Sequence, residues 1–315
     1  MSTPRSTTSS AEFERTADVL RLSAFASEPG GGNPAGVVLN ASMLSDTEMQ
    51  RIAAEVGYAE TAFVVVPSID ANERHVRVRY FSPGVEVPFC GHATIATAVA
   101  LAERRGPGQF TIETLVGPVV IETSRADAQS ASPGDASADA SPVTASFTSV
   151  ETDVRELAPP VADRLLSLLH LDPADLDGDW PLREAFAGNW HPIVAVREQA
   201  TFDAFSFDPA AVRALMDEQG WAGTVTVVRR QQPTASGELV VEARNLFPVG
   251  NITEDPATGS AAASLGAYLR QVGAITPKAR FRVLQGRHVG RPSLITVDVP
   301  VTGGITVTGT ATPIE

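Results

Sequence analysis

Cysteine is nearly absent: one thiol, Cys90, occurs in 315 residues. A single cysteine excludes an intramolecular disulfide and a cysteine-rich zinc cage, and this usage suits a reducing compartment, so a cytoplasmic location is expected. Long apolar runs are absent too. No stretch approaches the roughly 20 residues that a bilayer-spanning helix needs, and the polar opening MSTPRSTTSSAEFERTADVL lacks the apolar centre of a secretory signal. A membrane partner is therefore not expected. Positive charge is scarce: 24 Lys and Arg stand against 37 Asp and Glu, a formal net charge of −13, with no basic cluster to attract nucleic acid. Neither a glycine-rich dinucleotide loop nor a GxSxG elbow occurs. His75, His92, His170, His191 and His288 are scattered without metal-ligand spacing, so neither cofactor nor metal is expected.

What remains is the composition of a globular protein, 43% hydrophobic and 19% charged, long enough for two domains with a cleft between them. The chain carries a weak repeat of about half its length. In the first half GGNPAGVVLN reads as strand, SDTEMQRIAAEVG as a helix opened by a Ser45/Glu48 capping box, and ETAFVVVP as strand. In the second half WHPIVAVRE, FDPAAVRALMDEQG with Asp208 as N-cap and Pro209 at the first helical position, and TVTVVRR repeat that order.

The parallel continues through VRVRYFSPGVEVPFCGHATIATAVALAERRG and LVVEARNLFPVGNITEDPATGSAAASLGAYLRQVG. Each is a strand, a Pro/Gly bend, a polar knot and a helix of small residues, closed by Gly106 or Gly273. A helix with small or apolar residues on every side has no face for solvent, so each is expected to lie wrapped by sheet. The fold class expected is α+β, with two pseudo-equivalent domains, each a barrel-like mixed sheet around a central helix. Residues 1–16 read as a disordered tail and 17–123 as the first domain, with 300–315 a candidate C-terminal strand to complete it. The Ala/Ser/Asp-rich segment 124–145 has almost nothing to bury and reads as a flexible loop, leaving 146–299 as the second domain.

The polar knots hold the candidate functional residues. A helix N-terminus presents unpaired N–H groups and a partial positive charge, so two such ends facing each other form a carboxylate slot. Thr258, Gly259 and Ser260 supply hydroxyls and bare backbone at one of them. Asp255 reads either as a site residue or as the N-cap of that helix, with Pro256 at its first position. His92 reads as a donor or acceptor near neutral pH, or as a satisfied cap. Cys90 aligns with Thr258 and reads first as a small buried hydrophobe. Glu60 opens the strand ETAFVVV: solvated, it does nothing special; in a cleft, desolvation would raise its pKa and fit it to shuttle protons.

Taken together, GNPAGVV, ETAFV, FCGHATIATA, EDPATGSAAA and QGRHVGRPS, in order from Asn33 to about Ser293, resemble the PhzF-like family of phenazine-biosynthesis isomerases and relatives. The resemblance implies the fold of diaminopimelate epimerase and proline racemase, with the active site between two domains, and a homodimer. It places the catalytic glutamate on Glu60, the motif histidine on His92 and the motif aspartate on Asp255. It also places carboxylate contacts on Gly259 and Ser260, with Gly91 lining the opposite knot. Racemases of this fold face their substrate with two cysteines, and here only Cys90 keeps sulfur. The expected function is a cofactor-independent isomerase moving a proton between carbons of a small carboxylic acid. An amino-acid racemase or epimerase and a silent small-molecule binding protein are the alternatives.

Overall fold

The structure, a computed structural model, describes residues 17–125, 141–249 and 252–314. The tail expected over 1–16, and most of the loop expected over 124–145, lie outside the described residues.

The first half runs through β1 (Leu20–Ala24), β2 (Asn33–Val38), α1 (Asp46–Val56) and β3 (Glu60–Val66). β4 (His75–Phe81) and β5 (Glu86–Val87) then lead to α2 (Gly91–Arg105), followed by β6 (Gly108–Thr114), β7 (Gly117–Arg125) and β8 (Val143–Thr148). The second half starts with β9 (Asp153–Glu156), α3 (Pro159–Leu168), β10 (Arg183–Phe186) and β11 (Trp190–Ala195). It continues with α4 (Gln199–Ala204), α5 (Pro209–Gln219), β12 (Val225–Arg230), β13 (Leu239–Val249) and β14 (Ile252–Asp255). α6 (Gly259–Gln271), β15 (Ala279–Gln285), β16 (Ser293–Val299) and β17 (Thr306–Pro313) complete it.

Strand pairing shows the repeat directly. β2 pairs with β3 in parallel and β11 with β12 in parallel; β4 with β6, and β13 with β15, are the parallel pairs that flank the two central helices. The pairings β1–β2–β3–β4–β6–β7–β8–β17–β1 close an eight-stranded barrel. The second sheet runs β9–β10–β11–β12–β13–β15–β16–β17. The strand β17 serves both sheets: Thr306, Val307 and Thr308 pair with β16 and with β8, and Ala311, Thr312 and Pro313 pair with β1.

Two sequence-based boundaries change. Ser124 and Arg125 finish β7, and Val143, Thr144 and Ala145 begin β8, so the ends of the segment read as a flexible loop are strand. Low hydrophobicity misled there, because alternation had already restarted: Val143, Ala145 and Phe147 point into the core while Thr144 and Ser146 do not. β8 also belongs to the first barrel rather than to the head of the second domain.

Each barrel is filled by its helix. In α2 every residue from His92 to Ala102 is buried, and in α6 every residue from Ala261 to Leu269. Small side chains make this packing possible. A β-carbon added at Gly266 would lie 2.9 Å from Ile305 Cγ2 and 3.2 Å from methyls of Val297 and Val299, so the sheet lies directly on the helix backbone there. The outer helices are amphipathic instead: α1 buries Met49, Ile52 and Ala53, starts on the Ser45/Glu48 capping box and ends on Gly57 in the left-handed region. α5 starts on Asp208, whose carboxylate accepts from the Ala210 N–H.

Candidate active site

β3 sets Glu60 at its first position, paired in register with Ala35 of β2, so the carboxylate emerges at the barrel mouth where α2 begins. The N-cap of α2 is Cys90, and its Sγ lies 3.5 Å from Glu60 Oε2 and 3.3 Å from His92 Nδ1. His92 Nε2 is 3.5 Å from the same glutamate oxygen. No side chain caps the helix start. Its position is fixed by Thr94, which donates to the Cys90 carbonyl at 2.7 Å and receives the Tyr80 hydroxyl at 2.7 Å.

The second domain supplies the facing half. Asp255 ends β14, Thr258 is the N-cap of α6, and the helix starts at Gly259. The reading of Asp255 as N-cap with Pro256 at the first helical position therefore fails, because its carboxylate is engaged elsewhere. Asn33 of β2 donates to Asp255 Oδ1 at 2.8 Å and to the Ala257 carbonyl at 3.1 Å, and the Thr258 hydroxyl donates to Asp255 Oδ2. Gln285 braces the knot: it accepts from the Thr258 N–H at 3.2 Å and donates to the Asp255 carbonyl at 2.6 Å. α6, like α2, has no side-chain cap.

The two helix starts meet over one aromatic ring. A β-carbon at Gly91 would sit 3.6 Å from Phe147 Cζ, and one at Gly259 would sit 3.5 Å from the same atom. Phe147 therefore spaces the two N-termini, leaving two sets of uncapped N–H groups and their partial positive charges at one place. Such a slot suits a carboxylate. Ser260 stands at the edge of it, its Oγ 3.1 Å from His191 Nε2.

Burial sets the protonation states. Desolvation raises Glu60 to about 7, helped by the charge of Asp255 and opposed by the hydrogen bond from Cys90. Asp255 is raised to about 6 by burial, against the hydrogen bonds from Thr258 and Asn33. His92 is lowered to about 4 by desolvation, against a hydrogen bond to the Pro34 carbonyl, so it is neutral near pH 7 and its contact with Glu60 is not an ion pair there. Cys90 is pushed well up by burial, reinforced by Glu60, and stays a thiol. The site thus holds two carboxyl groups able to exchange protons near neutrality, beside neutral hydrogen-bonding partners.

All six sequence-predicted site residues occupy this one region: Glu60, Gly91 and His92 on the first barrel, Asp255, Gly259 and Ser260 on the second. Sequence reasoning missed three supports. Asn33 lay inside the quoted GNPAGVV but carried no role, Phe147 sat beside the low-complexity segment, and His191 was one of the scattered histidines. Only the fold brings them in. Folding also creates ligand clusters that spacing could not show: donor atoms of Glu60, Cys90 and His92 lie within 4.8 Å of one another, as do those of Asp203, Glu242 and His288. The second cluster borders a separate hollow of about 500 Å³ and is already paired, with Arg287 bonded to both carboxylates and His288 to Asp203.

A closed eight-stranded barrel and a second sheet, each around a buried helix, with the two helix N-termini converging, define an epimerase-like architecture. The chain belongs to the PhzC-PhzF family of phenazine biosynthesis-like proteins, whose model matches residues 22–315. It is 32% identical to the uncharacterised isomerase YddE of Escherichia coli over 93% of this chain and 95% of that one. It is 33% identical to the trans-2,3-dihydro-3-hydroxyanthranilate isomerase of Pseudomonas chlororaphis over 87% of each. A PhzF-family phenazine biosynthesis protein of Bacillus anthracis superposes with a TM-score of 0.78 at 27% identity, covering 94% of this chain and 96% of that one. A probable proline racemase from Agrobacterium radiobacter shares the fold, with a TM-score of 0.54 at 13% identity over 93% and 90% of the two chains. The protein is an isomerase of the PhzF type.

Proposed function

We propose that this isomerase relocates a proton between two carbons of a small, cyclic or amino-bearing carboxylic acid without a cofactor, and that Glu60 carries the proton. The observation behind this reading is the Glu60 carboxylate at the barrel mouth, desolvated to a pKa of about 7 and 3.5 Å from both Cys90 and His92. A base poised near the working pH is ionised often enough to accept a proton and acidic enough to return it. The substrate carboxylate lies between the helix starts, held by the Gly259 backbone and the Ser260 hydroxyl with Gly91 opposite. His92 and Asp255 orient the amino or hydroxyl group and accommodate charge as the conjugated system shifts. The relative from Pseudomonas chlororaphis is named for a substrate of this class, a dihydro-hydroxyanthranilate.

Racemisation by two thiols has no support in the site, because the N-cap position that Cys90 holds on α2 is held by Thr258 on α6 and burial keeps the thiol protonated. A homodimer in the cytoplasm accompanies the proposal, and sedimentation of the full chain reads the assembly directly. Incubating the protein with trans-2,3-dihydro-3-hydroxyanthranilate in deuterium oxide tests the reading. The expected product is an isomer with a shifted double bond and deuterium at the newly protonated carbon, seen by NMR. Recovery of the unchanged acid, without deuterium, across a panel of dihydro and amino acids would contradict it.

A further inference from the structure

α6 carries a hydroxyl where α2 carries a thiol: Thr258 and Cys90 are the N-caps of the two central helices, and neither side chain caps its helix. The Thr258 hydroxyl is turned back onto Asp255 instead. Its direction follows from Gln285. The Thr258 N–H can only donate and the Asp255 carbonyl can only accept, so the amide that meets them at 3.2 and 2.6 Å has its oxygen on the first and its nitrogen on the second. The same nitrogen lies 3.0 Å from Thr258 Oγ1, and an amide nitrogen does not accept. Thr258 therefore accepts there and gives its own hydrogen to its remaining partner, Asp255 Oδ2.

Asn33 treats the other oxygen in the same way. The Ala257 carbonyl can only accept, so the amide nitrogen of Asn33 is the atom that faces it, and the second hydrogen of that nitrogen goes to Asp255 Oδ1. Both oxygens of Asp255 thus meet donors that cannot be turned round. Glu60 has no such pair: its Oε2 is met at 3.5 Å by the Cys90 thiol, a weak donor, and at 3.5 Å by His92 Nε2. The groups that titrate around Asp255 are Glu60 on β3 and Cys90 on α2, while Glu254 beside it is paired with Arg244 of β13. Of two buried carboxyl groups that feel each other's charge, the one with fixed donors ionises first. Asp255 at about 6 and Glu60 at about 7 agree with that order.

We infer that Thr258 is a positioning residue: by donating to Asp255 it keeps that carboxylate the ionised acceptor of the site and leaves the mobile proton to Glu60. An ionised aspartate accepts and cannot donate, so it selects a substrate that presents an N–H or O–H to it. The two carboxyl groups then have separate tasks, one to hold the substrate and one to move its proton. The inference deepens the proposed function and rests on it for Glu60 as the proton carrier and for the class of substrate.

Titration of the side-chain carboxyl carbons by carbon-13 NMR, on the full chain without substrate, tests it, with Asp255→Asn and Glu60→Gln assigning the two signals. In the unmodified protein the first of the two protons to leave as pH rises should come mainly from Asp255. Release mainly from Glu60 overturns the inference. In a Glu60→Gln background Asp255 titrates without that partner. Adding Thr258→Val, which keeps the shape and removes the donor, should raise the Asp255 midpoint by about one pH unit or more, on the scale of one hydrogen bond to a charged group. Thr258→Ser, which restores the hydroxyl, should leave the midpoint close to its starting value. An unmoved midpoint in Thr258→Val, or an equal rise in Thr258→Ser, overturns the inference. If Thr258→Val does not fold, the order of proton release in the unmodified protein decides. Turnover enters none of these readings, so absence of isomerase activity with the order intact would sink only the proposed function.

Discussion

Asn33 and Asp255 are 222 residues apart, and a 2.8 Å hydrogen bond joins them across the boundary between the two barrels. The amide is 1% exposed, and the same Nδ2 also reaches the Ala257 carbonyl, so one side chain from β2 fixes both the aspartate and the approach to α6. Removing the amide leaves a buried carboxylate oxygen and a buried carbonyl unpaired, which costs about 1–3 kcal/mol. Asn33→Ala should accordingly lower the thermal midpoint and reduce turnover, both measurable on the purified variant. An unchanged midpoint would show that the barrels are held together elsewhere.

Cys90→Ala should leave turnover within a few-fold of the unmodified protein at pH 8, because the thiol is protonated and faces no second thiol. The hydrogen bond from Cys90 lowers the Glu60 pKa, so the substitution should move the acidic limb of the pH–rate profile to higher pH. A hundredfold loss at every pH, with the fold intact, would make Cys90 a base.

Stability should carry opposing pH dependences. His92 and His191 are lowered from 6.5 to about 4 by burial, so the unfolded chain binds more protons between those values and stability falls as pH drops through that window. Glu60 and Asp255 are raised from 4.5 to about 7 and from 3.8 to about 6, so the folded chain binds more protons there and stability is lost as pH rises. Glu60→Gln removes one of the second pair. Its unfolding free energy should match that of the unmodified protein at pH 4 and exceed it above pH 7, by an amount on the order of 3 kcal/mol. A difference independent of pH would mean that Glu60 is not desolvated.

Patterning alone reached the architecture because the two central helices are apolar on all sides, which leaves a protein no choice but to enclose them. The start signals of the outer helices α1 and α5, Ser45 with Glu48 and Asp208 with Pro209, were equally local and equally readable. The register of the C-terminal strand, expected within 300–315, was not. β17 takes its register from β16, β8 and β1, and none of those pairings leaves a trace in neighbouring residues. The same holds for the site. Glu60, His92, Asp255 and Ser260 stood in recognisable motifs, whereas Phe147 and His191 act through contacts with residues more than fifty positions away. Local sequence could not place Asp255 against Asn33, so capping looked as reasonable as catalysis.

The pH dependence of turnover follows from the same buried carboxylates. Proton removal requires Glu60 ionised, so kcat/KM should rise with pH along a limb centred near 7. Asp255, raised to about 6, lies close enough to couple with it, so the limb belongs to the pair. A limb centred near 4.5 would show that the glutamate is solvated in solution.

The central claim is that Glu60 carries the proton, and the most direct test is the rate at which solvent deuterium enters a bound acid in the unmodified protein and in Glu60→Gln. Glutamine keeps the shape and most of the hydrogen-bonding reach while removing the base, so exchange should fall by roughly 10² to 10⁴ with ligand affinity little changed. Exchange at the unmodified rate in Glu60→Gln would contradict the assignment and move the proton to another group.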